Sequence, residues 1–170
     1  MNVIFHTATA ISVAVLLTDT KRIEQSTTSS NVIWTSILAF TVGLISHGAL
    51  DYIPHCYPIN SKLDAIVGLI IILTTTWLTN KKYRIIIALS FIGSIFPDLV
   101  DLSPAIINQQ LGLNLPTFEK VFPWHLHNYL GSIYNDNCNI STLNHILLLL
   151  TIGIICWCRR TDIKAIIAQD

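Results

Sequence analysis

Apolar residues gather into five runs along the chain, Val3 to Leu17, Val32 to Leu50, Leu63 to Thr79, Ile85 to Leu99 and Leu143 to Cys158. A helix needs about 20 apolar residues to cross a bilayer, with a lower limit near 17. The second and third runs reach that length. The first, fourth and fifth are shorter or carry polar residues, and they count as spans where neighbouring helices shield those groups. The pattern predicts an all-α, multi-pass transmembrane bundle of about five helices, folded as a single membrane-embedded domain over residues 1–170. Nothing basic precedes the first run and no small-residue cleavage site follows it, so it reads as a span and not as a signal peptide. Pro54 cannot sit in a helix interior without loss of a hydrogen bond, so the second helix is expected to stop there, with His55 folding over its end.

One polar stretch, 102–142, is too long for a plain connection. Ser103 as N-cap and Pro104 at the first helical position predict a short helix there. Its apolar face, Ala105, Ile106, Ile107 and Leu111, suits either the bilayer surface or the mouth of the bundle. Further on, Pro123 to Asn128 reads as an extended segment in which His125 and His127 alternate. Alternation points them to opposite sides, so only one should reach a given metal. Residues 135–139 read as turns, with Asp136 simply solvated.

Composition supports the membrane reading. The chain is 52% hydrophobic and 12% charged, against roughly 25% charged residues in ordinary soluble domains. Ten basic residues balance ten acidic ones, so nothing in the charge points to nucleic acid. The basic residues are unevenly placed. Lys21, Arg22, Lys81, Lys82, Arg84, Arg159, Arg160 and Lys164 fall on one side of a five-span topology, and only Lys62 and Lys120 on the other. By the positive-inside rule the larger group faces the cytoplasm, which puts the N-terminus outside, the C-terminus inside and the loop 102–142 outside.

That topology gathers the ionisable residues. His6 lies near the outer end of the first helix, His47, Asp51 and His55 at the outer end of the second, and Asp98 and Asp101 at the outer end of the fourth. His125 and His127 belong to the outer loop, and His145 opens the fifth helix on the same side, so all six histidines share one face. His47, Asp51 and His55 are spaced at four-residue intervals and Asp98 and Asp101 at three, which stacks each set on one helix face. Ionisable groups within spans cost about 2.5 kcal/mol or more each on insertion scales and normally mark function. Imidazoles and carboxylates converging at one depth form the donor set of a borderline divalent metal. The candidate ligands are His6, His47, Asp51, His55, Asp98, Asp101, His125, His127 and His145. Nine candidates exceed the needs of one tetrahedral ion, so zinc, with manganese or iron as rivals, is expected as one ion or two.

Other polar residues have plainer readings. Asp64 follows Ser61 by three residues and reads as a cap at the start of the third helix. Asp19 and Glu24 read as solvated. Cys56 and Cys138 both fall outside and could pair in an oxidising compartment. Cys156 and Cys158 suit small apolar roles. The Ser/Thr stretch 26–30 is the single low-complexity tract.

In order, His6, the Ser-His-x-x-Leu-Asp-x-x-x-His segment ending at His55, the Gly-Ser-x-x-Pro-Asp-x-x-Asp segment ending at Asp101 and the later histidines resemble a family. It is that of inner-membrane-associated metal-dependent hydrolases, whose namesake is a LexA-binding bacterial member. The resemblance covers the chain from His6 to about His145. It implies a small multi-pass helical protein of the bacterial inner membrane with metal-dependent hydrolase activity. The chain departs from it at His125-Leu-His127, where members commonly carry His-Arg-Gly-x-Thr-His. A more distant likeness, to zinc-dependent phospholipase C through the His-x3-Asp-x3-His spacing, suggests phosphoester chemistry.

The expected function is therefore hydrolysis of a phosphoester, on a small or lipid-linked substrate, at a His/Asp metal centre open to the non-cytoplasmic side. Asp51 and Asp101 are the expected catalytic carboxylates, Asp101 as acceptor of a proton from the attacking water. A metal or proton transporter is one alternative, and it would carry polar residues through to the inner face. A non-catalytic, metal-stabilised scaffold is the other.

Overall fold

The computed structural model describes residues 1–25, 29–117, 119–134 and 138–168. The Asp136 turn and part of the Ser/Thr stretch lie outside them. Among the described residues eight α-helices follow one another: α1 (Val3–Leu17), α2 (Thr20–Gln25), α3 (Ser30–Tyr52), α4 (Ser61–Leu78), α5 (Arg84–Asp101), α6 (Ser103–Leu111), α7 (Asn139–Cys158) and α8 (Arg160–Ile167). Among the described residues there is no strand, only an isolated parallel bridge between His55 and Ser132.

Three helices, α3, α4 and α7, are long and apolar enough to cross a membrane, and α5 with α6, bent by 61° at their junction, would make a fourth. The first apolar run forms a helix of 15 residues, below the length of a span. Its position explains how so short a helix can carry polar side chains. It packs against α3, α4, α5 and α7, and Thr7, Ser12 and His6 are all buried within it. The apolar centre is built from Ala10 and Ala14 of α1, Ala39 of α3, and Ile86, Ile87 and Phe91 of α5. By contrast α4 and α7 turn most of their leucine and isoleucine surface outward, including Leu69, Leu73, Leu147 and Leu150. Such an inside-out distribution is what lipid-facing helices require.

The pairing of α3 with α5 sets the geometry at the candidate site. A Cβ at Gly93 would stand 2.2 Å from the Phe40 carbonyl oxygen, and one at Gly43 would stand 2.8 Å from that of Ser90. Glycine at these two positions lets the backbones touch, as small residues do at helix crossings within membranes. His47 follows Gly43 by one turn and Ser94 follows Gly93 directly, so the close crossing delivers the imidazole to α5.

The expected stop at Pro54 holds, and other local expectations are altered. Helix α3 ends at Tyr52, and Ile53, in the extended conformation forced on a residue before proline, leads the chain away through Pro54. Ser103 is inside α6, whose N-cap is Leu102, and its hydroxyl donates to the Asp98 carbonyl oxygen at 3.2 Å. Asn60 caps α4, accepting from the Lys62 amide. Asp64 instead caps a different helix, accepting the Val3 and Ile4 amides of α1 at 2.7 and 3.0 Å. A carboxylate there meets the positive end of the α1 dipole.

At the end of the bundle away from these residues, the basic segments interlock. Arg159 donates to the Thr18 carbonyl oxygen, the Thr20 hydroxyl to Asp162, and the Asn80 amide to the Ile166 carbonyl oxygen. Cys56 and Cys138 form a disulfide at the opposite end, closing a separation of 82 residues.

Candidate metal centre

Four side chains from three parts of the chain meet at one point. His47, Asp51, Asp98 and His125 each present one ligand atom, and these atoms lie within 4.8 Å of one another. His47 Nε2 is 3.1 Å from Asp51 Oδ2 and 3.6 Å from Asp98 Oδ1. His125 Nε2 lies 3.3 Å from the same two oxygens and 3.3 Å from His47 Nε2. His47, Asp51 and His125 are buried, and the Asp98 side chain retains 23% exposure. The site thus opens along the Asp98 edge.

The outer contacts determine what the inner atoms can do. His47 Nδ1 donates to the Ser94 carbonyl oxygen at 2.6 Å. A carbonyl only accepts, so Nδ1 carries a proton and Nε2 is the atom turned toward the two carboxylates. His125 repeats the arrangement, with Nδ1 at 2.8 Å from Asp101 Oδ2. Such partners fix both tautomer and ring orientation in metal-ligating histidines. The two imidazole Nε2 atoms and two carboxylate oxygens then face one another, an arrangement that a divalent cation would satisfy by taking the place of the Nε2 proton of His125. Burial alone would lower the pKa of His125. Its contacts with Asp51, Asp98 and Asp101 outweigh that and raise it to about 9.

Asp101 stands behind this group. Its oxygens accept the Val121 and Phe122 amides at 2.9 and 3.0 Å as well as the His125 ring. With both oxygens occupied it positions His125, and the free proton acceptor expected of it does not match this geometry. His6 also reaches the group without joining the four. Its ring stacks on His47 with centroids 4.1 Å apart, and its Nε2 is 3.3 Å from Asp51 Oδ1, without the alignment of a hydrogen bond. The Met1 amine contacts that same oxygen.

The remaining candidates are placed elsewhere. His55 leaves the face of His47 and Asp51 because the helix stops before Pro54. Its amide donates to the Gly131 carbonyl oxygen at 2.9 Å and its Nδ1 to that of Ile53 at 2.7 Å. The segment expected to be extended forms a short 3-10 turn over Pro123–His125. The turn directs His125 inward and leaves His127 exposed. His145 is buried but stacks on Phe5, ring centroids 4.1 Å apart, and its Nε2 has no hydrogen-bond partner among the described residues. These positions leave one ligand group among the described residues, enough for one ion.

Three contributors are not assigned to the site by the sequence: the Ser94 carbonyl, Trp124, which reads there as a water-interface residue, and the Gly43 and Gly93 pair. A main-chain carbonyl carries no sequence signal. Small residues one turn before His47 and next to Ser94 do carry one. Trp124 lies over Gly48, where a Cβ would stand 2.7 Å from its ring, so Gly48 lets the turn bearing His125 close onto α3. No family model, curated protein or solved structure matches this chain.

Proposed function

We propose that this protein is a membrane-embedded, metal-dependent hydrolase acting on a phosphoester of lipid or lipid-linked type. The observation that carries the reading is the convergence of His47 Nε2, His125 Nε2, Asp51 Oδ2 and Asp98 Oδ1 within 4.8 Å, with both histidine Nδ1 atoms turned to acceptors. Nitrogen and oxygen donors in equal number suit zinc, with manganese or iron as rivals. A divalent ion held there supplies a Lewis acid that acidifies water and polarises a phosphoryl oxygen.

The chain's own groups supply the rest. Asp98, the ligand with an exposed edge, meets the incoming substrate, and its second oxygen takes the proton of the attacking water. The water oxygen bonds to phosphorus, the ester bond to the alcohol breaks, and the alcohol oxygen leaves with the proton that Asp98 took. Asp101 and Ser94 keep the two imidazoles aimed throughout.

A five-span bundle in a bacterial inner membrane, with the site at the non-cytoplasmic face, fits this reading. Its support is the short α1 enclosed by its neighbours, the basic residues gathered at the far end, and the Cys56–Cys138 disulfide beside the site, a bond that persists in oxidising compartments. Exposed apolar residues on and just beyond α6, Ile106, Leu111 and Leu113, follow directly after the site, which suits a substrate arriving from the leaflet.

The transporter reading has little support, because the inner half of the bundle is closed by Ala14, Val15, Ile86 and Ile87. The scaffold reading is favoured by one observation, that four protein ligands can saturate a tetrahedral ion as structural zinc sites do. Hydrolysis decides between scaffold and enzyme. Detergent-purified protein, stripped with EDTA and reloaded with zinc or manganese, is assayed on p-nitrophenyl phosphodiester and on phospholipid vesicles. The enzyme reading expects metal-restored turnover that falls at least 100-fold in Asp98→Asn. Turnover equal to that variant on every substrate contradicts it.

A further inference from the structure

Outside the metal centre, a second cluster of reactive side chains lies in the loop beyond α3. His55 is wholly buried, and its Nδ1 donates to the Ile53 carbonyl oxygen at 2.7 Å. Because that oxygen can only accept, Nε2 of neutral His55 holds a lone pair. Ser132 Oγ is 3.2 Å from this nitrogen and 2.7 Å from Tyr57 Oη, which is itself 3.2 Å from the nitrogen. Two hydroxyls thus share one acceptor, and the network closes when Tyr57 donates to Ser132 and Ser132 donates to His55.

The backbone holds this triangle in place. The Gly131 amide donates to the Asp51 carbonyl oxygen, the His55 amide to that of Gly131 and the Ile133 amide to that of His55, at 2.8, 2.9 and 2.8 Å. Gly131 permits the approach, because a Cβ there would stand 2.4 Å from the Ile53 oxygen. The Cys56–Cys138 disulfide pins the next residue. A hydroxyl, a base within reach of it and a third group orienting the base form the general arrangement of an activated nucleophile.

We propose that Ser132 is a metal-independent nucleophile, with His55 as its base, for carboxylic esters presented at the membrane surface. In the first half-reaction Ser132 Oγ bonds to the acyl carbon and its proton passes to His55 Nε2. The bond to the alcohol oxygen breaks, and that oxygen takes the proton from His55. In the second, water adds to the acyl carbon and gives one proton to His55, and Ser132 leaves and recovers that proton. Neither half-reaction oxidises or reduces anything. Tyr57 and Tyr134, with rings stacked at 6.0 Å and exposures of 42% and 82%, form the outer rim. Burial, reinforced by the N-terminal charge, depresses the pKa of His55 to about 4, and burial raises that of Tyr57 to about 12, so near neutrality the base is free and the phenol keeps its proton.

The test is covalent trapping. Full-length protein in detergent is treated with a fluorophosphonate probe, and the adduct is located by peptide mass spectrometry. The proposal expects an adduct on Ser132, formed at an unchanged rate after EDTA treatment and at least tenfold more slowly in His55→Asn. EDTA insensitivity separates this result from the fate of the metal-centre reading. No adduct on Ser132, or equal rates in wild type and His55→Asn, overturns it. The wild-type peptide map needs no variant, so a His55→Asn chain that failed to fold leaves the test intact.

Discussion

His125 Nδ1 lies 2.8 Å from Asp101 Oδ2, and the same carboxylate accepts the two backbone amides that lead into the His125 turn. Asp101 thus aims a ligand without being one. Outer partners of this kind are worth about 10- to 100-fold in metal affinity. Asp101→Asn is expected to weaken zinc binding by about that factor and leave the stoichiometry intact, whereas Asp51→Ala abolishes binding. Competition titration against a chromogenic chelator reads both.

The α3–α5 crossing makes a separate prediction about stability. A Cβ at Gly93 would fall 2.2 Å from the Phe40 carbonyl oxygen, against backbone that cannot swing aside as a side chain end can. Overpacking of this kind typically costs about 1–3 kcal/mol. Gly93→Ala should lower the unfolding temperature in detergent and weaken metal binding together. Gly153→Ala, at a position with nothing within 4 Å, should do neither.

His55 gives the pH dependence. Its pKa is depressed from 6.5 to about 4 by burial and then by the N-terminal charge, so the folded state holds it neutral while the unfolded chain protonates it. Its contribution is therefore fully present above pH 6.5 and is lost as the pH falls toward 4, at up to about 1.4 kcal/mol per pH unit. Thermal unfolding between pH 7.5 and 5 should show a larger loss in wild type than in His55→Asn. Parallel losses would remove His55 as the cause.

The disulfide ties the start of α7 to the segment after α3 across 82 residues. Cross-links of that kind typically contribute about 2–4 kcal/mol, chiefly by restricting the unfolded chain. Reduction with dithiothreitol, or Cys56→Ser with Cys138→Ser, should lower the unfolding temperature by several degrees. An unchanged temperature would show the loop to be held by its hydrogen bonds alone.

Much of this arrangement is legible in the chain. The first apolar run and α1 have the same bounds, Val3 to Leu17, with Asn2 and Thr18 as the caps on either side. His47 and Asp51 were placed together by helical spacing, and Asp98 by the end of its own run. What escaped depends on backbone turns and on contacts distant in sequence. His55 obeys the four-residue spacing but lies beyond Pro54, where helical spacing no longer applies. The choice of His125 over His127 rests on a single 3-10 turn over Pro123–His125, too short to leave a periodic pattern. Asp64 has the sequence signature of a cap, and it is one, yet the amides it caps belong to Val3 and Ile4, about 60 positions earlier. No local rule reaches that far.

The most direct measurement is metal content. Protein purified in detergent without added chelator, analysed by inductively coupled plasma mass spectrometry beside Asp51→Ala and Asp98→Ala, should carry about one divalent ion per chain, with X-ray absorption showing mixed nitrogen and oxygen ligands at roughly 2 Å. Both variants should lose that ion. Wild-type protein that neither retains nor takes up a divalent ion, or variants that hold as much as wild type, would contradict the account.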